Sequence, residues 1–135
     1  MTKAAAIHSF WSEFCLMAYE ENTVPSEAKM PYITYHLMTD GFNKQVMLTG
    51  SLWYRDTRRF RFIPQIFLTE AEVAEIRKTE EIEKKLGIGG VFIKCDGGVI
   101  WLRSGTPFAQ NMRDENDSTV RRKYLNITAE FLTAD

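Results

Sequence analysis

Ile7, Phe10, Trp11, Phe14 and Ala18 recur at the i, i+3, i+4, i+7 spacing of one helical face. Thr2 stands at the capping position, and "EENTVP", with Pro25 as a breaker, ends the pattern. The spacing predicts an N-terminal helix from Thr2 through Ala18 whose aromatic stripe docks on a sheet. An anchor for another protein is the sharper alternative. "YITYHLMT" (Tyr32–Thr39) and "KQVMLTGSLWYR" (Lys44–Arg55) are rich in β-formers and flank Asp40-Gly41, a turn signal. A connection of about four residues is that of an antiparallel hairpin. Gly50 inside the second strand marks a bulge or a close backbone approach.

"LTEAEVAEIRKTEEIEKKLG" predicts a second helix. Thr69 and Glu72 form a capping box, and Leu68 and Val73 stand at the spacing of a hydrophobic staple. Glu70 and Glu72 suit the positive end of the helix dipole, Lys84 and Lys85 the negative end, and Gly87 the stop. Val73, Ile76 and Leu86 are expected to face inward. Thr79, Glu80 and Glu83 interrupt that stripe, which predicts a half-buried helix or one that bends near Lys78. "GVFIKC" and "GVIWLR" are apolar runs joined at "DGG", and "KYLNITAEFL" alternates as a strand with one wet face.

The order is helix, hairpin, helix, three strands. It predicts an α+β domain: an antiparallel or mixed sheet of about four to five strands, with the N-terminal and central helices packed on one face. The 135 residues are expected to form one domain. Between "VIWLR" and the last strand, the polar stretch at about 104–120 reads as a long protruding loop. Loops beyond about 12–15 residues in a compact domain are usually functional or disordered.

Composition narrows the function. The 17 basic and 18 acidic side chains leave a net charge of -1, without the basic excess of most nucleic-acid modules. Arg55, Arg58, Arg59 and Arg61, interleaved with Phe60 and Phe62, are the one local exception, a candidate nucleic-acid contact. A solvated strand end is the competing reading, and the neutral net charge and Asp56 weigh toward it. Cys15 and Cys95 lack zinc-ligand spacing, and "MTKAAAIHSFW" lacks a signal-peptide pattern, so reduced thiols in a cytoplasmic setting are expected. No apolar run approaches membrane-spanning length. No nucleophile elbow, zinc-helix or P-loop motif is present. "DEND" (Asp114–Asp117) offers hard oxygens but not the spacing of a calcium loop, so an acidic turn is expected there. No enzyme activity, metal, cofactor or small-molecule substrate is therefore expected.

The C-terminal run "GGVIWLRSGTPFAQNMRDENDSTVRRKYLNITAEFLTAD" resembles the tail terminator (tail completion, minor tail) proteins of long-tailed phages and prophages. The likeness is carried by Gly97, Gly98 and Trp101, by Pro107, Phe108, Gln110, Met112 and Asp114, and by Arg121, Arg122, Tyr124, Leu125, Asn126, Glu130, Phe131 and Leu132. It is close over about the last 40 residues, looser at "PYITY" (Pro31–Tyr35) and generic in the N-terminal helix; "RDTRRFRFIPQIF" and the acidic helix depart from it.

The resemblance implies a non-enzymatic virion protein made in the host cytoplasm. It would form a ring, typically a hexamer, that caps the tail tube at its head-proximal end, stops polymerisation and offers the head-attachment surface. Its partners would be further copies of itself, the major tail tube protein and a head–tail connector protein. A head-closure or connector subunit is the alternative position in the same particle. Such a ring needs two different complementary patches per subunit. On this reading Asp114, Glu115 or Asp117 of one subunit pairs with Arg121 or Arg122 of the next, Phe108 and Met112 fill an apolar pocket there, and Gln110 adds a contact; the competing reading pairs these charges within their own loop.

Overall fold

A computed structural model describes residues 1–38, 45–57, 60–63, 66–113 and 116–134. The order is α1 (Lys3–Ser12), β1 (Met17–Glu20), a 3-10 turn (Glu21–Thr23), β2 (Tyr32–Met38), β3 (Gln45–Arg55), β4 (Phe60–Ile63), β5 (Ile66–Thr69), α2 (Glu70–Leu86), β6 (Val91–Cys95), β7 (Gly98–Arg113) and β8 (Val120–Thr133). The architecture is α+β. Six strands form one mixed sheet in the order β1-β2-β3-β8-β7-β6, and β4 and β5 form a separate two-stranded hairpin.

The strand count exceeds the expected four to five because β1 comes out of the predicted first helix. Thr2 Oγ1 accepts the Ala5 N–H as a cap, but α1 stops at Ser12. Cys15 then turns the chain with φ 60, and Met17–Glu20 pair in parallel with Tyr32–Tyr35. Ala18 is buried beside Ile33, as a strand residue. Its i+4 spacing from Phe14 satisfied a helix pattern, but the backbone pairing with β2 prevailed. The β4–β5 hairpin was also not anticipated in the run after Arg55.

The predicted hairpin is β2–β3, antiparallel from Tyr32↔Trp53 to Met38↔Met47, with its Asp40-Gly41 turn outside the described residues. β3 then pairs with β8 along its whole length, Gln45↔Glu130 to Arg55↔Val120. Beyond that, β8 pairs with β7.

The expected long loop at about 104–120 is instead mostly strand. β7 continues to Arg113, and the connection to β8 is residues 114–119. The register steps from Ser104↔Ile127 to Ala109↔Leu125, so the segment around Gly105, Thr106 and Pro107 bulges out of the ladder. A bulge absorbs a proline that a regular central strand would reject. Asn126 Nδ2 donates to the Pro107 carbonyl at 2.9 Å, replacing a ladder bond there. β6 pairs with β7 only as far as Leu102, so among the described residues the polar part of β7 has one unpaired edge.

Both helices lie on one face. From α1, Ile7, Phe10 and Trp11 are buried, joined by Phe14 from the turn that follows, and from α2, Ile82 and Leu86. They share a core with Leu48 and Leu52 of β3, Ile100 and Leu102 of β7, and Leu125 and Ile127 of β8. The α2 cap forms as read: Glu72 N–H donates to Thr69 Oγ1 at 3.1 Å, and Gly87, at φ 68, sends its N–H to Glu83 O. Its inward line differs in part from the expectation. Val73 and Leu86 are buried as expected, but Ile76 is 39% exposed, and the inward line also takes in Ala71, Glu75, Lys78 and Ile82. Lys78 Nζ donates to the Phe14 carbonyl at 2.6 Å, tying α2 to the turn after α1.

Candidate interaction surface

Alternation along the strands sends every second side chain to the face that neither helix covers. Two aromatic–cation clusters stand there. In the first, Trp53 of β3 and Arg122 of β8 are cross-strand neighbours, and the Arg122 guanidinium lies 4.8 Å from the Trp53 ring and 5.5 Å from that of Tyr124. Arg122 Nε donates to Ser51 Oγ at 2.9 Å, and Trp53 Nε1 donates to Thr34 Oγ1 at 2.8 Å. Glu21 reaches Arg122 Nη2 at 3.8 Å. Tyr32 packs beside Trp53, and Tyr19 beside Tyr32. These bonds fix the ring and the guanidinium in place before any partner arrives.

The second cluster centres on Trp101 of β7. Phe92 of β6 stacks on it with centroids 5.5 Å apart and planes 13° apart, and Arg103 lies 4.0 Å from its centroid. Arg103 Nη2 pairs with Glu130 at 3.3 Å, and Trp101 Nε1 donates to the Gly89 carbonyl. Phe92, Leu132 and Met47 are exposed on this half of the face. Tyr, Trp, Phe, Met and Arg are the residues enriched at protein–protein contacts.

On the helix side, the same sheet end carries a buried charge cluster. The Glu75 side chain is 2% exposed, with Oε1 3.5 Å from Arg121 Nη2 and 3.6 Å from Lys123 Nζ. Among the described residues, Glu75 Oε2 and Arg121 Nε find no hydrogen-bond partner. Neighbouring Tyr54 is buried, and burial, then the Glu75 and Glu81 charges, push its phenol up to about 12. Burial and then the Glu20 charge also raise Tyr35, whose hydroxyl is 2.9 Å from His8 Nδ1.

The sequence-predicted residues divide. Phe108 is half-buried and packs against this chain's own core, whereas Gln110 and Met112 are exposed on β7. Asp114 and Glu115 lie outside the described residues. Asp117, Arg121 and Arg122 have partners within the chain rather than one another. Asp117 Oδ1 accepts from the Thr119 N–H and hydroxyl, and Oδ2 pairs with Arg55 Nη1 at 3.2 Å. Those bonds, the Thr119 hydroxyl first, hold the Asp117 carboxyl below its ordinary range. Arg55 therefore anchors the β7–β8 turn. Arg61 sits opposite Leu68 on β4, and Arg58 and Arg59 lie outside the described residues. The arginine cluster is thus split between two sheets, with Arg55 committed to a carboxylate.

Trp53, Phe92 and Glu75 were not singled out from the sequence. Trp53 and Phe92 could have been found by phasing each strand and asking which large side chains fall on its second face. Glu75 could have been found on the 71-75-78-82-86 line, where a carboxylate replaces an apolar residue. Among the described residues, no helix is long and apolar enough to cross a membrane, and no group of three or more potential ligand side chains converges as for a metal. No family model, curated protein or solved structure matches the chain.

Proposed function

We propose that this chain is a structural virion protein, a ring-forming tail terminator that caps the tail tube of a long-tailed phage or prophage particle. The sequence likeness over the last two strands suggests the family. The observation that carries the reading is the sheet face left free by both helices, with Phe92, Leu132, Met47 and Met112 exposed among preorganised Trp and Arg side chains. Such a surface suits a macromolecular partner. The major tail tube protein and further copies of the chain are the partners on this reading, at the head-proximal end of the tail.

Deletion of the gene, followed by electron microscopy of the particles produced, tests it. Abnormally long tails that return to uniform length when the protein is supplied are expected. Tailless, DNA-filled heads would instead place the protein at the head–tail connector. Normal particles would overturn both positions.

A further inference from the structure

Among the described residues, β1 and β6 are the two edge strands of the six-stranded sheet, on its opposite sides. Their directions decide how copies can meet. β2 runs parallel to β1, and each later neighbour in β3, β8, β7 and β6 reverses, so β6 again points along β1. A rotation about an axis roughly along the strands therefore sets β6 of one copy beside β1 of the next, in parallel and with the same face outward. Such a head-to-tail contact between two different edges is the kind that closes into a ring.

The side chains on the two edges are complementary in that alignment. On the helix-free face β6 carries Phe92, which is 56% exposed, and Lys94, which is exposed and has no carboxylate within 4.0 Å among the described residues. On the same face β1 carries Met17, which is 65% exposed, then Tyr19, with Glu20 and Glu21 directly following. Parallel pairing that sets Phe92 against Met17 brings Lys94 alongside Tyr19, within reach of both carboxylates. Open edges in monomeric proteins are usually blunted by charge, bulges or a covering element. Here a groove of about 300 Å³, lined in part by Met1, flanks Val91–Lys94 between β6 and the Ala6, Ser9 and Phe10 side of α1, and Met1 bonds to Asp96 only after the strand has ended.

We propose that β6 of one copy adds in parallel to β1 of the next, so that the ring is closed by a continuous sheet, with Phe92 against Met17 and Lys94 against Glu20 and Glu21. This rests on the ring-forming reading above and assigns its copy-to-copy contact.

A charge swap tests it. The oligomer would be followed by native mass spectrometry and light scattering over a concentration series, with circular dichroism checking that each variant is folded. Lys94→Glu and Glu21→Lys are each expected to weaken assembly by roughly tenfold or more. An equimolar mixture of the two is expected to recover it, because every junction in an alternating ring regains one Lys and one Glu. Phe92→Ser should weaken assembly without any change of charge, and serves if a charge variant fails to fold.

A wild-type chain that stays monomeric throughout, or a mixture no better than its components, overturns the proposal. Sensitivity to Lys94→Glu but not to Glu21→Lys also overturns it, since that pattern belongs to a two-fold β6–β6 pair. The gene-deletion result is separate. Normal tails with a successful charge swap would sink the terminator role and leave the edge pairing standing; long tails with a failed swap would do the reverse.

Discussion

Gly50 of β3 lies flat against the indole of Trp11. A Cβ at position 50 would run into Trp11 Cη2 and stand 2.9 Å from Cζ2 and 3.0 Å from Cζ3. Trp11 is fully buried and stacked nearly parallel to Tyr35, so its ring has little room to move. This contact seats α1 on the sheet and explains a glycine in the middle of β3. Gly50→Ala is expected to destabilise the fold by roughly 1–3 kcal/mol, the range for overpacking a tight core. Urea denaturation measures it. Adding Trp11→Phe to Gly50→Ala should cost less than the two single changes sum to, because the smaller ring vacates the space the new methyl needs.

Glu75 makes a second prediction. Among the described residues, its carboxylate is the one within 4.0 Å of the inward-facing Arg121 and Lys123. Glu75→Ala leaves two cations under α2 and should cost roughly 3–5 kcal/mol, the range for breaking a buried ion pair by removing one partner. Replacing Glu75, Arg121 and Lys123 together by leucine or methionine should recover much of that loss. Denaturant midpoints of the two variants check it.

The Asp117 turn predicts behaviour in acid. Its folded-state pKa is lowered by the Thr119 bonds and by Arg55, so its contribution to stability is present above the unfolded value of 3.8 and is lost as pH falls through the lower folded value. Asp117→Asn should flatten the acid limb of the stability profile. In the wild type, the Thr119 amide resonance should titrate below the ordinary carboxylate range. A Thr119 amide that titrates in the ordinary range would remove the turn from this account.

Tyr54 predicts the alkaline limb. Its pKa is raised from 10.0 to about 12, so its contribution is fully present below pH 10 and fades as pH rises toward 12. Tyr54→Phe should reduce the pH dependence of stability across that window. In the wild type, one phenol should ionise late in an ultraviolet absorbance titration, unless the protein unfolds first, in which case it should appear as a sharp step with unfolding.

Much of the fold was legible because local chemistry and tertiary packing agree in those segments. The cap at Thr69, the stop at Gly87 and the alternation of Leu125, Ile127, Ala129 and Phe131 each report one residue's surroundings within a turn or a strand. The failures share another origin. Met17–Glu20 became a strand through pairing with residues well ahead in the chain, and Thr106–Arg113 became one because Asn126 and a register shift accommodate Pro107. Neither condition is visible in a window of neighbouring residues.

The candidate surface divides the same way. The sequence by itself determined the α+β class, both helix starts and the β2–β3 and β6–β7 hairpins, since period, capping and turn chemistry are local properties. Only the tertiary structure decided that Trp53 meets Arg122, that Phe92 stacks on Trp101, and that Glu75 lies between Arg121 and Lys123. Those meetings depend on strand order and register, which long-range backbone pairing sets once one face of the sheet has been buried under two helices.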